Sequence, residues 1–147
     1  AFIIDELNWG NYMGASLISL TGFIAWTLLL LVLMESIRSK LVLSKTVPAN
    51  AFNPENSNLS PFMQRLARAH ANCLEGLPIF GGLLVVAALS GNTAVTDPLA
   101  FVFLGARILQ TLIHLTSLSS AAVSLRFLMF SIQMGIGVYW AFCLLAN

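Results

Sequence analysis

The sequence predicts an all-α integral membrane protein, a four-helix bundle, and three observations predict it. Of the 147 residues, 58% are hydrophobic and only 9% charged, with a mean hydropathy of +0.86. That is too apolar for a water-soluble domain of this size. A helix needs roughly 20 apolar residues to cross the hydrocarbon core, so the length has room for four spans and short connections. Polar and turn-forming residues gather into one long stretch and two short ones, which divide the chain into four apolar blocks. The expectation is a single four-span membrane domain over residues 1–147.

The first span is expected at about 12–37, from Tyr12 to Ile37, with Leu28 to Leu33 as its most lipid-like part and Arg38 and Lys40 closing it. Asp5 and Glu6 stand where a cleavable signal would carry positive charge, and no small-residue cleavage site follows, so this run reads as a retained helix. Residues 38–61 form the one long loop, rich in Pro48, Asn53, Pro54 and Asn56. Ser60 is a cap candidate and Pro61 a first-turn proline for the second span, about 62–90. After the turn Gly91 to Asp97, the third span covers about 98–115, and the fourth covers about 121–145. Arg38, Lys40, Lys45, Arg65, Arg68 and Arg126 fall at one set of span ends, and Asp5, Glu6 and Asp97 at the other. The excess of positive charge places the loop 38–61 in the cytoplasm and both termini outside.

Composition also excludes partners. The net charge is +1, and no run of basic residues alternates with aromatics, which argues against nucleic acid. Cys73 and Cys143 lie in apolar segments, where free thiols are expected rather than a disulfide. No metal-ligand spacing appears.

The chemistry gathers in Arg65-Leu-Ala-Arg-Ala-His-Ala-Asn-Cys-Leu-Glu75, because ionisable residues in membrane helices are costly and face the bundle interior or a cavity. Arg68, Asn72 and Glu75 at i, i+4 and i+7 share one helix face, over roughly 10 Å of axis. Arg65 extends that stripe one turn towards the cytoplasm. The third span has a second stripe in Arg107, Gln110 and His114, at i, i+3 and i+7. Two such faces are expected to meet inside the bundle, where Arg68 or Arg107 can grip Glu75 or the carboxylate of an incoming anion. A structural ion pair is the plainer reading, but these six groups exceed what one pair needs. His70 projects from another face, and Cys73 and His70 lack a third group to orient them as a nucleophile and base. Pro78 frees the carbonyl of Leu74, which predicts a kink, and Gly81, Gly82, Gly135 and Gly137 are expected to allow close packing of helices.

Arg-Ala-His-Ala-Asn-Cys-Leu-Glu-Gly-Leu-Pro-Ile-Phe at 68–80 closely resembles the second-helix signature of the membrane-associated proteins in eicosanoid and glutathione metabolism (MAPEG). In that signature Arg-Ala-x-x-Asn-x-x-Glu is followed by Pro-x-Phe or Pro-Phe. Asn53-Pro54-Glu55 and Gly105-Ala106-Arg107 are similar to the prostaglandin E synthase and microsomal glutathione transferase branch. The resemblance implies a homotrimer with glutathione bound as co-substrate between protomers near the cytoplasmic face. It further implies transferase or peroxidase chemistry on lipophilic electrophiles or lipid hydroperoxides drawn from membrane lipid. Carried over by motif, Arg68, Asn72 and Glu75 hold the glutathione carboxylates and amine, Arg107 and Arg38 support them, and Gln110 and His114 line the same site. Nearby positive charge also favours the thiolate.

This chain departs from the family pattern at three places. Gly76 stands beside the motif glutamate where a tyrosine is usual. His114 replaces a tyrosine of the third helix. The thiol-activating arginine of the fourth helix aligns without gaps with Val123, whereas Arg126 lies one turn further on and is the candidate for that role. The alternative function is a non-catalytic, lipid-binding or scaffold member of the family. A transporter or channel needs polar residues along the whole path, and here they gather at one end. The electrophile is not legible, because apolar surfaces select it. A bacterial inner membrane is favoured over endoplasmic reticulum.

Overall fold

The computed structural model describes residues 13–147, and four helices fill them: α1 (Ala15–Leu43), α2 (Pro61–Leu89), α3 (Thr93–Thr116) and α4 (Ser120–Ala146). All four are long and apolar enough to cross a membrane, and no strand occurs among the described residues. Tyr12, where the first span was expected to begin, and the acidic pair Asp5 and Glu6 lie outside the described residues.

Helix α1 runs on to Leu43 instead of stopping at Ile37. Arg38 and Lys40 are compatible with helical backbone, and they end only the apolar segment. Its N-terminus is held from a distance: the Asp97 carboxylate accepts the Ser16 N–H at 2.9 Å and the Ser16 hydroxyl at 2.6 Å. An acceptor on another helix thus satisfies an N–H that α1 leaves unpaired. Helix α2 opens on Pro61, with the Ser60 hydroxyl accepting the Met63 N–H. At Pro78 the missing N–H leaves Leu74 without its partner, and the helix widens into a π-turn over Leu77–Gly81 before resuming at Gly82. Helix α3 begins at Thr93 and carries Pro98 inside it, one turn earlier than a first-turn proline would place it. Ser119 caps α4 by accepting the Ala122 N–H.

The loop between α1 and α2 is folded around one side chain. Asn56 is fully buried with φ of 54°. Its Oδ1 accepts from Arg38 Nε at 3.1 Å, and its Nδ2 donates to the Met63 carbonyl at 2.8 Å. Asparagine tolerates this left-handed backbone better than most residues. The contacts tie the end of α1 to the start of α2.

In lipid, helices gain little from the hydrophobic effect against one another, so close packing and buried hydrogen bonds must hold the bundle. Phe103 is the hub: its ring lies 4.9 Å from Phe80, 5.6 Å from Phe23 and 5.7 Å from Trp140 by centroids, drawing all four helices together. Such tilted and edge-on pairs are favourable beyond their area. Gly137 makes the approach of α4 possible, since a Cβ there would sit 2.8 Å from the Phe80 ring. Gly82 and Gly135, by contrast, meet nothing within 4 Å. Around this core, Leu28, Leu29, Phe101, Val138 and Phe142 are exposed, as a lipid-facing surface requires.

Candidate functional site

The two polar stripes are presented differently. On α3, Arg107, Gln110 and His114 are all buried. On α2, Arg68 and Glu75 are exposed and Asn72 is half-buried, so the middle of this stripe looks out from the chain, and it meets α3 through Asn72 and Arg65. The periodicity predicts that three residues share a face, but not which neighbour that face meets. Among the described residues the ion pair is Arg38 with Glu35, at 2.9 Å, and Glu75 pairs with no cation. The structural ion pair weighed from the sequence is therefore not formed among the described residues.

Arg107 carries the most unusual environment. It is 1% exposed, yet its Nε and Nη2 have no partner, and its Nη1 reaches the Asn72 carbonyl only at 3.5 Å. Its guanidinium lies over the rings of Phe23 at 5.3 Å and Phe80 at 5.9 Å, contacts that favour a cation but satisfy no hydrogen bond. Gly76 makes this placement possible: a Cβ there would stand 2.7 Å from Arg107 Nη2. The glycine beside Glu75, where the family usually has tyrosine, is thus the floor on which the guanidinium rests. A buried charge without an opposite charge is costly, so the site is short of an anion.

Arg107 opens on a groove between α2 and α4 of about 620 Å³. Asn72, Glu75 and Arg107 form its polar end, and Ile79, Phe80, Leu83, Met134 and Val138 line its apolar length. A smaller cleft of about 240 Å³ is lined by Asn72, Gln110, Val123, Arg126, Phe127 and Phe130. Asn72 and Phe130 border both, so the two spaces are adjacent. Arg126 is half-buried, its Nε has no partner, and it lines this cleft beside Val123. Arg65 and Arg68 early in α2, His114 in the last turn of α3 and Arg126 in the second turn of α4 all lie at one end of the bundle. Arg65 itself donates to the Leu115 carbonyl at 3.1 Å, closing the last turn of α3.

Arg38 is placed elsewhere. It binds Asn56, Glu35 and the Asn53 carbonyl, stands over Phe52 at 5.5 Å, and lines a separate hollow with Glu35 and Phe52. Cys73 is buried against the Thr111 hydroxyl at 3.7 Å. Gln133 went unnoticed in the sequence. It is fully buried in α4 and donates to Gln110 Oε1 at 2.9 Å. The signal was available, since an amide in the apolar run from Phe127 to Trp140 must find a partner within the bundle.

Comparison with protein families matches residues 16–146 to the family described as MAPEG, a stretch that reaches from α1 to the end of α4. No curated protein and no solved structure matches the chain.

Proposed function

We propose that this chain, which belongs to the MAPEG family, is a glutathione-dependent membrane transferase or peroxidase acting on lipophilic electrophiles or lipid hydroperoxides. The observation that carries this function is Arg107, a buried guanidinium with two unpartnered donors at the polar end of an otherwise apolar groove. Glutathione has the complementary groups: two carboxylates for Arg68 and Arg107, and a free amine for Glu75, which pairs with no cation among the described residues. Asn72 joins the groove to the cleft of Arg126, and Gln110 and His114 complete the polar end. Arg38 acts by holding the loop and adding positive charge near the same membrane face.

Bound there, glutathione supplies a thiolate that attacks an electrophilic carbon, forming a thioether as the bond to the leaving group breaks and that group departs as an anion. With a hydroperoxide the thiolate attacks the terminal oxygen and the O–O bond breaks; the alcohol leaves, and the sulfenic acid formed on glutathione is taken to the disulfide and water by a second glutathione. Arg126 stabilises negative charge on that sulfur from the cleft. The apolar wall from Ile79 to Val138 admits a substrate already dissolved in the bilayer and keeps water from the sulfur. The outward-facing Arg68 and Glu75 suit a ligand shared with a neighbouring copy, which supports a homotrimer with its sites between protomers. Positive charge at the end of α1 and at the starts of α2 and α4 supports the loop being cytoplasmic and both termini outside, in a bacterial inner membrane.

One observation favours a second function. Val123, at the position of the family's arginine, lines the cleft itself, as a non-catalytic lipid-binding or scaffold protein would permit. Turnover separates the two. With glutathione and a lipophilic aryl halide, the wild type is expected to form the thioether and Arg126→Ala to lose at least tenfold in kcat, the scale of one electrostatic stabiliser. Thioether formation unchanged in Arg126→Ala rules out the assigned role of Arg126. No turnover by the wild type with aryl halides or lipid hydroperoxides moves the protein to the scaffold class.

A further inference from the structure

Gln133 lines neither the groove nor the cleft, yet its side chain is bonded to Gln110, which lines the cleft. Its Nε2 meets two atoms, the Met129 carbonyl at 3.0 Å and Gln110 Oε1 at 2.9 Å. A carbonyl only accepts, so the Gln133 atom facing Met129 is the amide nitrogen. The Gln110 atom that shares this nitrogen is then the oxygen. Gln110 is left with its own Nε2 for the cleft that it lines, and this nitrogen donates to no protein atom among the described residues. Arg126, on the same cleft, carries a guanidinium that also only donates. Two donors of fixed polarity, one set by its charge and one by a relay from the α4 backbone, therefore face one space of about 240 Å³.

We propose that Gln133 is a positioning residue which, through Gln110, makes this cleft selective for anionic sulfur over a neutral thiol or thioether. The inference rests on the glutathione site described above and names the state of the sulfur which that site holds. A donor oriented in advance meets negative charge without reorganisation, and it acts more strongly in an apolar enclosure than in water. A neutral sulfur is a weak acceptor and gains little from either donor.

Two unreactive probes test this by calorimetry on the detergent-purified protein. Glutathione sulfonate carries a permanent negative charge in place of the thiol, and S-methylglutathione carries none. The ratio of the two affinities is the readout, because general loosening of the bundle weakens both probes alike. The wild type is expected to favour the sulfonate. Gln133→Met is expected to lower the ratio about tenfold, the loss of one hydrogen bond to a charged group. Gln110→Glu keeps an oxygen for Gln133 and turns a second one into the cleft, so it is expected to lower the ratio further. If Gln133 acts through Gln110, adding Gln133→Met to Gln110→Ala changes the ratio no further. Equal losses for both probes, or additive effects in the double variant, overturn the inference and leave the glutathione site standing. Binding of neither probe by the wild type overturns both. Should Gln133→Met fail to fold, a ratio unmoved by Gln110→Ala and Gln110→Glu overturns the inference equally.

Discussion

Arg107 and Gly76 form a pair in which function and stability can be separated. Because Arg107 is buried without a counter-charge, Arg107→Met is expected to leave thermal stability unchanged or raise it, as when buried charges are replaced by apolar residues of similar volume. The same variant is expected to bind glutathione at least tenfold more weakly, the loss of a hydrogen-bonded charge. In Gly76→Ala the close contact is with the far end of the Arg107 side chain, at 2.7 Å from Nη2, while the Phe80 ring lies at an ordinary 3.5 Å. This variant is expected to change unfolding free energy by less than about 1 kcal/mol while displacing the guanidinium and weakening glutathione. Gly137→Ala meets the Phe80 ring inside the aromatic cluster and is expected to cost about 1–3 kcal/mol. Thermal unfolding in detergent, run beside calorimetry, checks all three. A Gly76→Ala protein as destabilised as Gly137→Ala would show that the Arg107 side chain is not free to yield.

The elements were legible from the sequence to the extent that each depends on its own residues. Four apolar blocks gave four helices, and Ser60 with Pro61 gave the start of α2, because cap and first-turn chemistry is local. What the sequence could not show were contacts made across the fold. Asp97 reads as an outer-face charge, yet it holds the N-terminus of α1. Asn56 reads as a loop residue, yet it binds both Arg38 and Met63. Both are open to test by unfolding. Asp97→Ala is expected to lose about 0.5–2 kcal/mol, the scale of a helix cap. Asn56→Ala is expected to lose about 1–3 kcal/mol, since it leaves buried partners unsatisfied, and to raise hydrogen exchange across residues 44–60. Unaltered exchange in that loop would mean that Asn56 does not organise it. The same limit hid Gln133, whose role exists only because α3 places Gln110 opposite it.

At the scale of the molecule, an apolar band surrounds the bundle while polar groups collect at one end, and the composition alone announced that a bilayer is its solvent. The candidate site was legible as a set of residues, since Arg107, Asn72, Gln110 and Arg126 do converge on adjoining spaces. Its direction was not, because Arg68 and Glu75 are exposed and turn away from the chain's own core. A surface of that kind is completed by a ligand, a neighbouring copy, or both. The most direct measurement is therefore calorimetric titration of the detergent-purified protein with glutathione, comparing the wild type with Arg68→Ala and Glu75→Gln. Saturable binding by the wild type that both substitutions abolish is the expected result, whereas no binding at millimolar glutathione, or binding that survives both changes, would contradict the site.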